Sequence, residues 1–138
     1  MLLAFMLAGT MTINVDSNSL SGLPVVEAQF TAHEKTQRCS GPSLASVLAK
    51  AGVPHGNKVS GPKLQTSITA KARDGYAVLF SIGEVDTLLG NAAIIVATQC
   101  DGVEIPESDG PYRLVVPGEH RAARSVRQLK SLEIRAPE

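Results

Sequence analysis

Twelve glycines and eight prolines, spread along the chain, cut its 138 residues into short pieces. Both residue types disfavour helix interiors and mark turns, so only a few short stretches can form regular structure. "MTINVDSNSLSGLP" alternates apolar and polar residues before its turn residues, as a strand entering a loop does. "VVEAQFTAH" is β-rich in composition. The single good helix is "SGPSLASVLAKAG". Ser40 or Gly41 is expected at its cap, Pro42 at the first helical position, and Gly52 at the left-handed stop. Leu44, Val47, Leu48 and Ala51 recur at i, i+3, i+4 and i+7, which buries one face.

Further along, "NKVSGPKLQTSITA" reads as loop, or as loop leading into a strand. "DGYAVLFSIGEV" is a turn, a strand from Tyr76 to Phe80, and a helical turn near Glu84. "AAIIVATQCDGVEIP" is a buried strand with an Asp101-Gly102 hairpin signal and a short return. "YRLVV" is a strand, "RSVRQLK" a short helix, and "SLEIR" a closing strand. Many short strands around one good helix define a β-rich α+β domain with mixed sheets. At this length the whole of 1–138 forms a single domain.

The opening "MLLAFMLAGTMT" is expected to hold a first strand ending near Gly9. The alternative is a signal remnant within residues 1–10, although the basic flank and length of such a signal are lacking. It is too short to insert across a membrane. Thirteen basic residues against thirteen acidic leave no net field, and aromatics are only 4%. Nucleic acid is therefore not an expected partner, since both phosphate attraction and base stacking are weak.

Two cysteines and three histidines form no zinc spacing and no CxxC pair. Cys39 and Cys100 make either one disulfide or two buried thiols; two thiols are the expectation.

The segment from Gly110 to Ile134 releases four arginines, a lysine and a histidine around a Pro-Gly turn. Arg121, Arg124, Arg127 and Lys130 fall at three-residue spacing, which on a helix sets them along one edge. Guanidinium forks suit phosphate or sulfate oxygens. The competing explanation is a solvated basic face paired with Glu107, Asp109 or Glu119. His120 beside the cluster, and His33 and His55 elsewhere, have the protonation chemistry of acids or bases, but loop histidines are commonly just exposed. Asp74 and Tyr76 in "RDGY" pair a carboxylate with a phenol; a plain turn explains them equally.

Taken together, "LPVVEAQFTAHEKTQRCSGPSLASVLAKAGV", "ARDGYAVLFSIGEV", "IIVATQCDGVEIPESDGPYRLVVPG" and "ARSVRQLKSLEI" resemble the molybdopterin-binding domain of the sulfite oxidase family in its short stand-alone form. Order and spacing agree over roughly residues 20 to 135. The resemblance implies several β-sheet layers with few short helices. It also implies that Arg113, Arg124, Ser125, Arg127 and Asp74 are cofactor-binding. Arg124, Ser125 and Val126 match a segment that holds the pterin and its phosphate in catalytic relatives, and Arg127 stands at a lysine position. Arg113 matches the arginine of the strand that ends in Val-Pro-Gly, and Asp74 with Tyr76 matches a D-G-Y segment.

Catalytic relatives ligate molybdenum through a cysteine in an upstream loop, and this chain lacks that loop. Cys39 stands two residues before Gly41, where relatives carry a core residue, and is a weak candidate for a metal ligand. Molybdopterin is therefore a cofactor by resemblance, whereas molybdenum is not expected. The leading expectation is a domain that binds a pterin or a smaller anionic ligand without redox catalysis. The alternatives are an active molybdenum oxidoreductase, with Tyr76 or His120 assisting catalysis, and a cofactor-free module that binds a protein partner. The resemblance, to a family in which exported members are common, together with the apolar N-terminus implies export to the periplasm or beyond, with the cytoplasm as the alternative.

Overall fold

The structure, a computed structural model, describes residues 9–137. The expectation of a strand or signal remnant over the first residues falls mostly outside that range. The strands are β1 (Gly9–Asn14), β2 (Val25–Ala32), β3 (Lys35–Pro42), β4 (Ser67–Ala72), β5 (Ala77–Ser81), β6 (Ile95–Ala97), β7 (Gln99–Cys100), β8 (Val103–Glu104), β9 (Arg113–Val115) and β10 (Leu129–Ala136). The α-helices are α1 (Ser17–Leu20), α2 (Leu44–Lys50) and α3 (Ile82–Val85). The β-rich α+β expectation holds. Its strands form one sheet in the order β1-β10-β4-β5, a second in the order β2-β3-β7-β8, and the β6-β9 pair. Every described pairing is antiparallel, so the sheets are not mixed.

The β6–β9 pair divides two cores. Successive side chains on a strand point to opposite faces. Val96 and Leu114 therefore enter a large core with Ile68, Phe80, Leu132 and the buried face of α2. Ile95, Ala97 and Val115 enter a smaller one with Phe30, Cys39 and Cys100. A strand buried on both faces is apolar throughout, which accounts for the unbroken "AIIVA" and "LVV". Arg113 shares the Val115 parity and so faces the smaller core.

Two local expectations are corrected. The α2 cap is Ser43, whose hydroxyl accepts from the Ser46 N–H at 3.1 Å. Gly41 and Pro42 belong instead to β3, where Gly41 pairs with Val26 and Pro42 with Val25. A side chain on Gly41 would place its Cβ 2.0 Å from the Val96 carbonyl oxygen, so this residue permits the close approach of β3 to β6. The buried α2 face (Leu44, Val47, Leu48) and the positive φ of Gly52 agree with expectation.

The second correction concerns "RSVRQLK", which is not a helix. A single 3-10 turn, Ala122–Arg124, precedes an irregular, bent stretch with Gln128 at positive φ that leads into β10. The Val126 carbonyl accepts from the Leu114 N–H at 2.9 Å, and the Leu129 N–H donates to the Tyr112 carbonyl at 2.8 Å. With its backbone tied to β9 and the residue before it, the segment has no free groups for helical bonds at those positions. Lys130 falls at a register shift in β10, which turns it outward.

Candidate anion-binding cavity

The β2–β3 hairpin turns at His33 and Glu34, both at positive φ. It presents Lys35 and Gln37 on the same strand parity as Cys39. The β4–β5 turn brings Asp74 and Tyr76, the loop before β9 brings Asp109, and the chain after β9 brings Arg121, Ser125 and Arg127. These elements and Arg113 line a cavity of about 670 Å³, a size suited to a small molecule.

Arg113 is the deepest charge there, only 7% exposed. Its guanidinium lies over the Phe30 ring, 4.3 Å from the centroid, a favourable cation–π placement. Nη2 donates to the Ser125 carbonyl at 2.9 Å, and Nη1 stands 3.6 Å from Asp109 Oδ2. Nε is buried with no partner. Burial lowers the Arg113 pKa, Asp109 opposes that shift and the charge of Arg127 adds to it. A guanidinium nonetheless stays protonated at neutral pH. Ser125 is buried as well; its hydroxyl accepts from the Val116 N–H at 2.9 Å, fixing the turn onto β9.

Arg127 is more open, its side chain 66% exposed, with Nη1 3.5 Å from Asp109 Oδ1. Asp74 Oδ1 accepts from the Tyr76 N–H at 3.0 Å, and the Tyr76 hydroxyl donates to the Ala123 carbonyl at 2.5 Å. The carboxylate therefore shapes the turn, and the phenol straps the 121–124 segment across the cavity wall.

Arg124 does not line the cavity. It turns away over the Phe80 ring, 4.7 Å from the centroid. There it donates hydrogen bonds to both Glu84 and Glu119. The hydrogen bonds to Glu119 and then Glu84 hold its guanidinium protonated well above the ordinary arginine range. For this residue the paired-face explanation describes the geometry. His120 is exposed and also lies outside the lining.

Cys39 and Cys100 face each other across β3 and β7 and form a disulfide, which corrects the expectation of two thiols. With Cys39 fully buried in the smaller core, its sulfur is neither a thiolate nor a neighbour of the cavity. Among the described residues, no group of three His, Cys, Asp or Glu side chains is placed to hold a metal ion.

Lys35, to which no motif points, lines the cavity together with His33 and Asp109, which in the sequence are a plain loop histidine and a pairing carboxylate. The signal for Lys35 was available: in β3 it shares the inward parity of Cys39. The fold and cavity together define an antiparallel α+β domain with a recess lined by Lys35, Arg113, Arg121 and Arg127. The family model for the oxidoreductase molybdopterin binding domain matches residues 10–138, and the chain belongs to that family. No curated protein matches it.

Proposed function

We propose that this chain holds a pterin-type or smaller anionic ligand in the cavity and performs no redox catalysis there. The carrying observation is Arg113, a buried guanidinium at the cavity wall whose Nε has no partner. Buried polar groups are nearly always satisfied, so a guanidinium with one hydrogen bond, Nη2 to the Ser125 carbonyl, at the wall of a recess favours an anion there. Arg127, Arg121 and Lys35 add positive charge around the same space. These residues fit a pterin phosphate or another oxyanion.

The donor set does not fit molybdenum held by protein sulfur. Such a centre needs a soft thiolate, and the two cysteines here are bonded to each other. In this proposal Arg113 and Arg127 bind the anion, Ser125 fixes their backbone, and Asp74 and Tyr76 shape the wall. Arg124 acts as the clamp that anchors the adjoining loop. The disulfide also supports export, because such bonds persist in oxidising compartments.

Family membership favours a second reading, an active molybdenum oxidoreductase. Elemental analysis separates the two, combined with fluorescence of acid-released pterin, on protein purified from a molybdenum-supplemented, cofactor-producing host. Pterin or another anion without stoichiometric molybdenum is expected. Stoichiometric molybdenum would overturn the proposal and direct attention to reduced Cys39 and Cys100.

A further inference from the structure

The arginines near the cavity are partnered in two different ways. Arg124 is closely paired: it donates two hydrogen bonds to Glu119, one of them at 3.0 Å, and two to Glu84, at 2.9 and 3.3 Å. Arg113 and Arg127 instead share the single carboxylate of Asp109, one oxygen each, at 3.6 and 3.5 Å. Those separations exceed a well-formed charge-assisted hydrogen bond, about 2.7–2.9 Å. Two positive charges are thus loosely bridged by one negative charge, beside the unpartnered Arg113 Nε. Lys35 and Arg121 line the same space with no carboxylate partner among the described residues.

We propose that Asp109 is a resident counter-anion that sets the charge threshold of the cavity: a dianionic oxyanion displaces it from Arg113 and Arg127, and a monoanion does not. This inference rests on the cavity being an anion site. A carboxylate already tethered at the two arginines competes at high effective concentration. An incoming monoanion brings the same charge and must also lose its translational freedom. A tetrahedral dianion brings twice the charge, and enough oxygens for Arg113, Arg127 and one of Lys35 or Arg121 together.

The exchange needs no movement of the main chain. The Asp109 N–H donates to the Pro106 carbonyl at 2.9 Å, and its carbonyl accepts from the Gln128 N–H at 2.8 Å. Its side chain, 35% exposed, has solvent to turn into.

The test is calorimetric titration of the full chain and of Asp109→Asn with inorganic phosphate at pH 8, sulfate and acetate, at low ionic strength. Wild type is expected to take phosphate and sulfate but not acetate. Removing one charge about 5 Å from the anion is expected to tighten phosphate about tenfold, and Asp109→Asn gains acetate binding. Asp109→Ser, also uncharged, is expected to shift the same way; if only one variant shows a cooperative unfolding transition, that one decides. Weaker phosphate binding in the variants, or continued rejection of acetate, overturns the inference and makes Asp109 an organiser of the arginines. Wild type that binds acetate as tightly as phosphate also overturns it, while the anion site stands. Binding of no anion by any of the chains removes the anion site itself, and the inference with it.

Discussion

Burying the Arg113 guanidinium against Phe30 costs solvation that its bond to the Ser125 carbonyl and its loose ion pair with Asp109 only partly offset. Arg113→Lys keeps the charge but loses the fork and the stacked plane. It is expected to cost about 1–2 kcal/mol of stability and to weaken phosphate binding, measured by denaturant unfolding and by titration. Arg124 offers a contrast. Arg124→Ala leaves Glu84 and Glu119 facing each other without their cation, a change expected to destabilise by about 1–3 kcal/mol. Its effect on phosphate affinity is expected to be smaller than that of Arg127→Ala. A larger effect from Arg124→Ala would place its guanidinium at the ligand.

The elements depend on backbone contacts that tolerate few substitutions. Gly41 carries the clearest case, since a methyl group there would overlap the Val96 carbonyl oxygen at 2.0 Å. Gly41→Ala is expected to destabilise by about 3 kcal/mol or more, by forcing β3 away from β6. A thermal unfolding midpoint within a degree of wild type would contradict that account. The Asp101-Gly102 turn between β7 and β8 has φ of 53° and 80°, left-handed at both positions. It was readable from two residues because so few side chains accept that conformation. The 125–129 segment shows the opposite situation. Its composition suits a helix, but its backbone bonds to β9 and Tyr112 decide against one, and no local signal encodes those distant partners.

At the scale of the whole molecule, the Cys39–Cys100 bond joins positions 61 residues apart and closes the smaller core. Linking distant positions restricts the unfolded chain. The double replacement Cys39→Ala/Cys100→Ala is therefore expected to cost about 2–4 kcal/mol, read by denaturant unfolding under non-reducing conditions. Because Phe30 belongs to that core and supports Arg113, weaker phosphate binding is expected alongside the lost stability. Unchanged affinity would show that the cavity is insulated from the bond.

The sequence by itself determined the elements whose cause is local. Period-two alternation, the Asp101-Gly102 turn and the i, i+3, i+4 face of α2 each arise from neighbouring residues, so β-rich α+β architecture was legible. Motif resemblance carried the family and pointed to Arg113, Arg124, Ser125, Arg127 and Asp74, with Tyr76 beside it; all of these but Arg124 line one cavity. Tertiary structure alone decided that the cysteines are joined, that Arg124 is consumed by Glu84 and Glu119, and that Lys35 and Asp109 face the site. Each of those outcomes depends on distances between residues far apart in the chain. A charged or sulfur-bearing side chain takes its role from whichever partner folding brings within a few ångströms, and spacing along the chain does not encode that partner.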